Sequence, residues 1–190
     1  MLTLKEGNAN ERCIKLIPDI RKAHEFYFGL NFPYHYSVAQ AEVESNCIHN
    51  IFSNDGVGSE GFAQITFVIW KEKLKNENIN DIYSIKNYAR AQAYINYLQY
   101  KQSYCKKLFE MYQRYNGGSY VTKELILSNS CNWSDAYKVC KRGNVCVWKV
   151  NNICKQYKNA CDINYNYSLT IYKKSINYKL ISDERGYAYW

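Results

Sequence analysis

The sequence predicts a mainly α fold with a short β-rich extension at its C-terminal end. Up to about residue 140, apolar side chains recur at the three- and four-residue spacing of amphipathic helices. From about residue 141, polar side chains alternate with apolar or aromatic ones, which is typical of strands. A chain of 190 residues is long enough to bury a core of its own. We therefore expect a helical domain over 1–142 and a basic, Cys- and Tyr-rich β extension over 143–190, either packed on that domain or separate from it.

Apolar periodicity and end signals place the individual elements. Helices are expected over 8–30, 37–46, 62–72, 81–104, 105–115, 122–127 and 133–140. Ser37 reads as the N-cap of the second helix, with Gln40 completing a capping box. Gly117 and Gly118 suit the end of the fifth helix. In the extension, 142–144 reads as a turn between short strands, and 162–181 alternates as strands do.

A single carboxylate, Glu44, falls in the last turn of the second predicted helix. The helix C-terminus and apolar neighbours both disfavour a charged carboxylate there, so its pKa should rise. A raised pKa is what a general acid needs near neutral pH. The Gly-rich loop that follows permits close backbone approaches, and Gln64 beyond it offers an amide that both donates and accepts. The alternative is an ordinary solvated glutamate at a helix end.

Glu44 and this loop belong to a longer pattern. Glu44-Ser45, a short loop and then G-S-E-G-F-A-Q-I at 58–65 resemble the signature of the soluble lytic transglycosylases and goose-type lysozymes, which reads E-S and then G-A-x-G-L-M-Q-I. The segment N-D-I-Y-S-I-K-N at 80–87 resembles the family's D-L-x-D-P-x-x-N-I, and R-Y-N-G-G at 114–118 resembles its A-Y-N-A-G block. These blocks occur in the family's order over roughly residues 35–140.

The resemblance implies a lysozyme-like α+β fold with a groove for the glycan strand of peptidoglycan. It implies that Glu44 protonates the oxygen between N-acetylmuramic acid and N-acetylglucosamine, and then removes the proton of the muramic C6 hydroxyl to leave a 1,6-anhydro end. It further implies that a group of side chains binds the sugar or orients Glu44. This group is Ser45, Gln64, Tyr115 and Asn116, with Tyr137 as a weaker match to a late Tyr-Val block. Neither a cofactor nor a metal is expected.

The number of carboxylates bears on the type of reaction. Most glycosidases use two carboxylates. Asp55, in the loop, is the candidate for a second one. Goose-type enzymes carry an aspartate two residues beyond the motif glutamine, where this sequence has Thr66. That difference favours transglycosylation and leaves hydrolysis by a muramidase as the alternative.

The cysteines indicate an oxidising compartment. There are eight, without C-x-x-C pairs or the spacing of a zinc site, so disulfides are favoured over free buried thiols, with connectivity open. The N-terminus does not read as a signal peptide, and no apolar run is long enough to span a membrane. We expect a periplasmic or wall-directed protein whose export signal was removed, or one that is phage-encoded or part of a secretion apparatus.

Positive charge is concentrated near the C-terminus. Residues 1–135 carry 15 Lys and Arg against 14 Asp and Glu, whereas 136–190 carry 10 against 3. Such a surface favours docking of 143–190 on an anionic wall or membrane, or is simply a solvated basic face. No nucleic-acid-binding motif accompanies it, so nucleic acid is not expected as a partner.

We expect a monomer that cleaves peptidoglycan, with a non-catalytic wall-binding protein as an alternative. His24 and His35 are expected to fill ordinary surface or core roles rather than to act as bases.

Overall fold

The computed structural model describes residues 9–53, 58–151 and 153–184. Within these ranges the protein has eight α-helices and two small two-stranded antiparallel sheets, so the predicted mainly α fold with a short β part is confirmed. The helices are α1 (Glu11–Phe28), α2 (His35–Ser45), α3 (Phe67–Asn76), α4 (Ile85–Gln102), α5 (Leu108–Gly117), α6 (Tyr120–Ser128), α7 (Trp133–Val139) and α8 (Ala160–Glu184). The strands are β1 (Ser59–Glu60), β2 (Ile65–Thr66), β3 (Asn144–Val150) and β4 (Ile153–Asn159).

The described chain divides into two compact units. The first is formed by 9–52, 59–94 and 171–184, and the second by 95–151 and 153–170 together with Ser53 and Gly58. These units do not coincide with the division into 1–142 and 143–190 that composition and charge predict. None of the described helices combines the length and apolarity needed to cross a bilayer.

Helices α1 and α2 form the frame of the first unit. The side chain of Asn10 caps α1 by accepting a hydrogen bond from the backbone N–H of Arg12 (3.0 Å). A buried disulfide between Cys13 and Cys47 links α1 to the residues that follow α2. The buried side chains of α1 recur at helical spacing: Cys13, Leu16, Ile17, Ile20, Ala23 and His24.

The predicted capping box of α2 is wrong. The helix begins at His35, and Ser37 lies buried in its first turn without capping it. The Nε2 of Gln92 on α4 donates instead to the Ser37 carbonyl oxygen and to the Gln40 side-chain oxygen, both at 3.0 Å. The two polar residues spaced three apart therefore serve a buried contact between helices.

The predicted helix over 62–72 is also wrong at its start. Residues 59–66 form a minimal hairpin, β1–β2, and α3 begins only at Phe67. Gly61 and Gln64 both have positive φ, +67° and +48°, which a helix cannot contain.

The second unit contains the end of α4, helices α5 to α7, strands β3 and β4 and the first half of α8. One buried apolar cluster in it consists of Val121, Leu125, Ala136 and Tyr165. The predicted end of α5 is confirmed at Gly118, which has φ +70° and donates its N–H to the carbonyl oxygen of Arg114 (2.9 Å). The predicted continuation of helix through 103–107 is wrong, because α4 ends at Gln102 and α5 starts at Leu108.

The C-terminal stretch differs most from expectation. The strands expected over 162–181 are absent, and α8 occupies that region. Residues 142–144, which were predicted as a turn between two strands, lie immediately before and at the start of β3. The turn of the β3–β4 hairpin follows Val150 instead. The prediction of strands over 162–181 was wrong because the buried face of α8 includes polar residues. Its apolar side chains alone therefore do not recur at helical spacing. The buried positions of α8 are Cys161, Asn164, Tyr165, Tyr167, Ser168, Ile171, Ser175 and Tyr178.

All eight cysteines are paired, which confirms the expected disulfides. The pairs are Cys13–Cys47, Cys105–Cys131, Cys140–Cys161 and Cys146–Cys154.

Candidate functional site

Glu44 lies in the last turn of α2, as predicted, and its side chain is half-buried. The helix ends immediately beyond it, because Asn46 and Cys47 both adopt left-handed backbone conformations, with φ of 58° and 61°. The disulfide from Cys47 to Cys13 fixes the chain directly after this turn. Glu44 is therefore carried on a rigid helix end rather than on a loop.

Ser45 joins the first motif block to the second. Its hydroxyl is within hydrogen-bonding distance of the carbonyl oxygens of Phe62 (2.9 Å) and Ala41 (3.3 Å), and its oxygen accepts the backbone N–H of Ile48 (3.1 Å). Ser45 is buried, so these contacts are shielded from water. The helix end that carries Glu44 is thus attached to the turn of the β1–β2 hairpin.

The hairpin turn is braced by the glutamine of the motif. The Nε2 of Gln64 donates to the carbonyl oxygen of Gly61 at 2.9 Å, and lies 3.5 Å from that of Ile51. The hydroxyls of Ser59 and Thr66 face each other at 2.7 Å across the strands. Thr66 therefore contributes to holding the hairpin.

Tyr88 on α4 supports the hairpin from within the core. Its hydroxyl donates to the carbonyl oxygen of Glu60 and accepts the backbone N–H of Ile65 (3.0 Å). Burial raises the pKa of Tyr88 above its usual value, and the negative charges of Glu60 and Glu44 raise it further. Both carboxylates therefore lie within electrostatic range of one buried phenol.

A Cβ atom at Gly61 would lie 2.4 Å from the ring of Tyr88. Displacement of the Tyr88 ring would be unfavourable, because the ring is buried and its hydroxyl is hydrogen-bonded to both strands. Glycine is thus required here by the close approach as well as by its positive φ.

A cleft of about 240 Å³ opens beside the hairpin within the first unit. Its walls include His49, Phe52, Glu60, Tyr83 and Tyr88. His49 Nε2 lies 2.6 Å from the carbonyl oxygen of Tyr83, whereas its Nδ1 is buried with no hydrogen-bond partner among the described residues. Phe52 and Tyr83 are largely exposed, so their rings are available to a ligand.

No pattern in the sequence singles out these cleft residues. Glu60 stands at the variable position of the G-S-E-G block, where the family pattern carries no information. His49 and Phe52 lie in the polar loop after α2, and their neighbourhood depends on how that loop folds back. Tyr83 was noted only as part of the 80–87 block, which does line the cleft.

The remaining predicted site residues belong to the second unit. Tyr115 is half-buried and Asn116 exposed in the last turn of α5. The side-chain oxygen of Asn116 accepts a hydrogen bond from Asn164 (3.3 Å), and Asn116 lines a cavity of about 660 Å³. Tyr137 on α7 donates its hydroxyl to Asp162 and stacks on Trp133, with ring centroids 5.6 Å apart.

Glu44, Ser45 and Gln64 thus lie in the first unit, and Tyr115, Asn116 and Tyr137 lie in the second. Asp55 lies outside the described residues. The roles assigned to these side chains stay predictions.

Comparison with known proteins adds no relative. No family model, curated protein or solved structure matches this chain. The link to the lytic transglycosylases therefore depends on the motif residues and their geometry alone.

Among the described residues, one group of possible metal ligands comes close together: Glu124, Cys140 and Cys161. Both sulfurs are joined to each other in a disulfide, so this group does not form a metal site. Two of the three histidines of the first unit, His24 and His35, are buried. Burial lowers their pKa values to about 4 and about 3, and the charge of Lys179 contributes at His35.

Proposed function

We propose that this protein cleaves peptidoglycan at the β-1,4 bond between N-acetylmuramic acid and N-acetylglucosamine, as a lytic transglycosylase with Glu44 as its acid. The observation that carries the proposal is the hydrogen bond from Ser45 to the carbonyl oxygen of Phe62. It connects the two motif blocks, which are separated in sequence, at the helix end that carries the acid.

In the proposed reaction Glu44 first acts as a general acid. Its proton goes to the glycosidic oxygen while the bond to the muramic C1 breaks. The resulting carboxylate then takes the proton of the muramic C6 hydroxyl, whose oxygen forms the new bond to C1. Glu44 is reprotonated by this step, and no water is consumed. A rigid helix end suits this role, because the same side chain must serve both steps from one position.

Several features of the first unit support this use of Glu44. Ser45, Gln64 and Tyr88 hold the hairpin turn in place through hydrogen bonds to its backbone. The cleft beside the hairpin, which Tyr88 lines and Glu44 does not, offers two exposed aromatic rings, and such rings suit the apolar faces of sugars. Four disulfides fit an exported protein, which agrees with a substrate in the periplasm or cell wall.

Hydrolysis is the second candidate, and Glu60 is the observation that favours it. Its half-buried side chain lines the cleft, and its charge acts on the same Tyr88 ring as that of Glu44. A second carboxylate is what an inverting muramidase needs to activate water. Under this alternative Glu60, rather than Asp55, is the base.

The products separate the two chemistries. Purified peptidoglycan is incubated with the protein, and the soluble muropeptides are analysed by mass spectrometry. Transglycosylation gives 1,6-anhydro ends, which are lighter by one water than hydrolysed ends. In the first case Glu60→Gln keeps releasing anhydro products, and in the second it abolishes release. A protein that pellets with purified wall but releases nothing would be a wall-binding protein, and the proposed activity would be wrong.

A further inference from the structure

The β3–β4 hairpin, residues 144–159, is a ribbon that almost nothing covers. Every described position of β3 except Cys146 is exposed, and in β4 only Cys154 and Asn159 are partly covered. The exposed side chains include large apolar ones: Trp148, Val150, Ile153 and Tyr157. Trp148 is 58% exposed and Ile153 is 61% exposed. A monomeric protein rarely leaves such a cluster in water without a partner.

Two disulfides make the β3–β4 ribbon rigid. An isolated two-stranded hairpin is only marginally stable in water. Here the Cys146–Cys154 disulfide ties the two strands together, and Cys140–Cys161 ties together the segments on either side of the hairpin. The backbone N–H of Ala160 closes the base by donating to the Gly143 carbonyl oxygen (3.0 Å). The apolar side chains are therefore presented in a fixed arrangement without a core beneath them.

The charges of the ribbon all have one sign. Between Lys141 and Cys161 there are five cationic side chains and no Asp or Glu. Arg142 is neutralised by Glu124 at 2.9 Å, but none of the ion pairs found among the described residues involves the three lysines of the ribbon. These are Lys149, Lys155 and Lys158, and all are exposed.

We propose that the β3–β4 hairpin docks this protein on the surface of an anionic lipid bilayer. Lysines are attracted to anionic headgroups, while tryptophan and tyrosine favour the interface between headgroups and acyl chains. Val150 pairs with Ile153 at the turn end of the ribbon, which gives an aliphatic tip flanked by Lys149 and Lys155. A glycan wall offers no apolar phase for that tip. A second copy of the chain is disfavoured as the partner, because its three lysines would face the three lysines of the first copy and repel them.

The first experiment measures co-sedimentation of the full chain with two kinds of vesicle, phosphatidylcholine alone and phosphatidylcholine mixed with phosphatidylglycerol. We expect binding to the anionic vesicles that weakens with added salt. The triple variant Lys149→Gln/Lys155→Gln/Lys158→Gln should lose about fivefold in partition coefficient for each charge. The matched control Lys15→Gln/Lys22→Gln/Lys86→Gln removes three exposed lysines of the first unit and should bind nearly as well as the unmodified protein. Equal losses in both variants, or binding that ignores lipid charge, would overturn the proposal.

The second experiment tests the apolar tip. Trp148→Ser/Ile153→Ser should lose roughly tenfold in partition coefficient. The matched control Ile126→Ser/Leu127→Ser changes two exposed apolar residues of α6 and should leave the partition coefficient unchanged. Brominated lipids should quench tryptophan fluorescence in the unmodified protein and much less in Trp148→Phe. Circular dichroism and the absence of free thiols verify folding of each variant.

Three further results would contradict docking of the hairpin on a bilayer. Binding to purified wall that depends on the hairpin, without binding to vesicles, would assign it to the wall. A dimer that Trp148→Ser makes monomeric would assign it to a second copy. Quenching unchanged in Trp148→Phe would place the contact elsewhere on the protein. The proposal is independent of the activity, so Glu44→Gln should bind vesicles as the unmodified protein does.

Discussion

The hydroxyl of Ser45 donates a 2.9 Å hydrogen bond to the carbonyl oxygen of Phe62, seventeen residues further along the chain. The same oxygen accepts the backbone N–H of Ile48 at 3.1 Å. One buried side chain thus joins the end of α2, the start of the following loop and the turn of the β1–β2 hairpin. In the proposed enzyme this residue acts by positioning Glu44.

Ser45→Ala should destabilise the fold and misplace the proposed acid. The change leaves two buried backbone groups without this partner, which costs about 1–3 kcal/mol in the free energy of unfolding. Urea denaturation measures that loss. Ser134→Ala, at an exposed position of α7, is the matched control and should change stability by less than about 0.5 kcal/mol. Equal stabilities of the two variants would contradict the structural role of Ser45.

Gly61→Ala should be among the most damaging small substitutions in the chain. The new methyl group would meet the ring of Tyr88 at 2.4 Å, and the backbone φ of +67° disfavours alanine. We expect a loss of roughly 2–4 kcal/mol in the free energy of unfolding. Gly143→Ala serves as control, because a Cβ there has nothing within 4 Å and its φ is not in the left-handed region. If the hairpin tolerated alanine at 61 as well as at 143, the packing against Tyr88 would be wrong.

Stability should fall in mild acid partly because of His24. Burial lowers its pKa from 6.5 to about 4, although its hydrogen bond to the Ile20 carbonyl oxygen opposes the shift. Between pH 6.5 and about 4, His24 is protonated in the unfolded chain but remains neutral in the folded chain. The stability that is present above pH 6.5 is therefore lost as the pH falls towards 4. The contribution amounts to roughly 3 kcal/mol at most. His24→Leu should flatten this part of the profile of unfolding free energy against pH, and an unchanged slope would contradict the assignment.

The Cys13–Cys47 disulfide should matter more than Cys146–Cys154. It closes a separation of 34 residues against 8, and the chain-entropy model gives about 4 kcal/mol for the longer loop and about 2.5 kcal/mol for the shorter one. It also holds the end of α2, so Cys13→Ser/Cys47→Ser should reduce peptidoglycan cleavage as well as melting temperature. Cys146→Ser/Cys154→Ser should leave cleavage intact. The reverse ranking would contradict this account.

The helices of the first 140 residues could largely be predicted, because enough apolar side chains recur at helical spacing, as they do along α1. The end of α5 was predicted from Gly117 and Gly118, because glycine tolerates positive φ. Helix α8 could not be predicted in this way. Its buried face includes Asn164, Ser168 and Ser175, so apolar periodicity does not reveal it.

The candidate site was foreseen only in part. Glu44, Ser45 and Gln64 follow from short motifs that are close in sequence, and Gly61 permits the positive φ that the hairpin turn requires. Glu60 and His49 were missed, because their placement beside Tyr88 depends on the loop and on α4, which lie far apart in the chain. The disulfide pairing was open for the same reason, since sequence spacing does not determine which sulfurs meet.

The most direct test of the central claim is release of soluble muropeptides from purified peptidoglycan by Glu44→Gln, beside Glu60→Gln as a matched change at a neighbouring carboxylate. Circular dichroism and thermal unfolding first establish that both variants are folded. We expect that Glu44→Gln releases no product above background, while Glu60→Gln still yields 1,6-anhydro muropeptides. Undiminished release by a folded Glu44→Gln protein would contradict it.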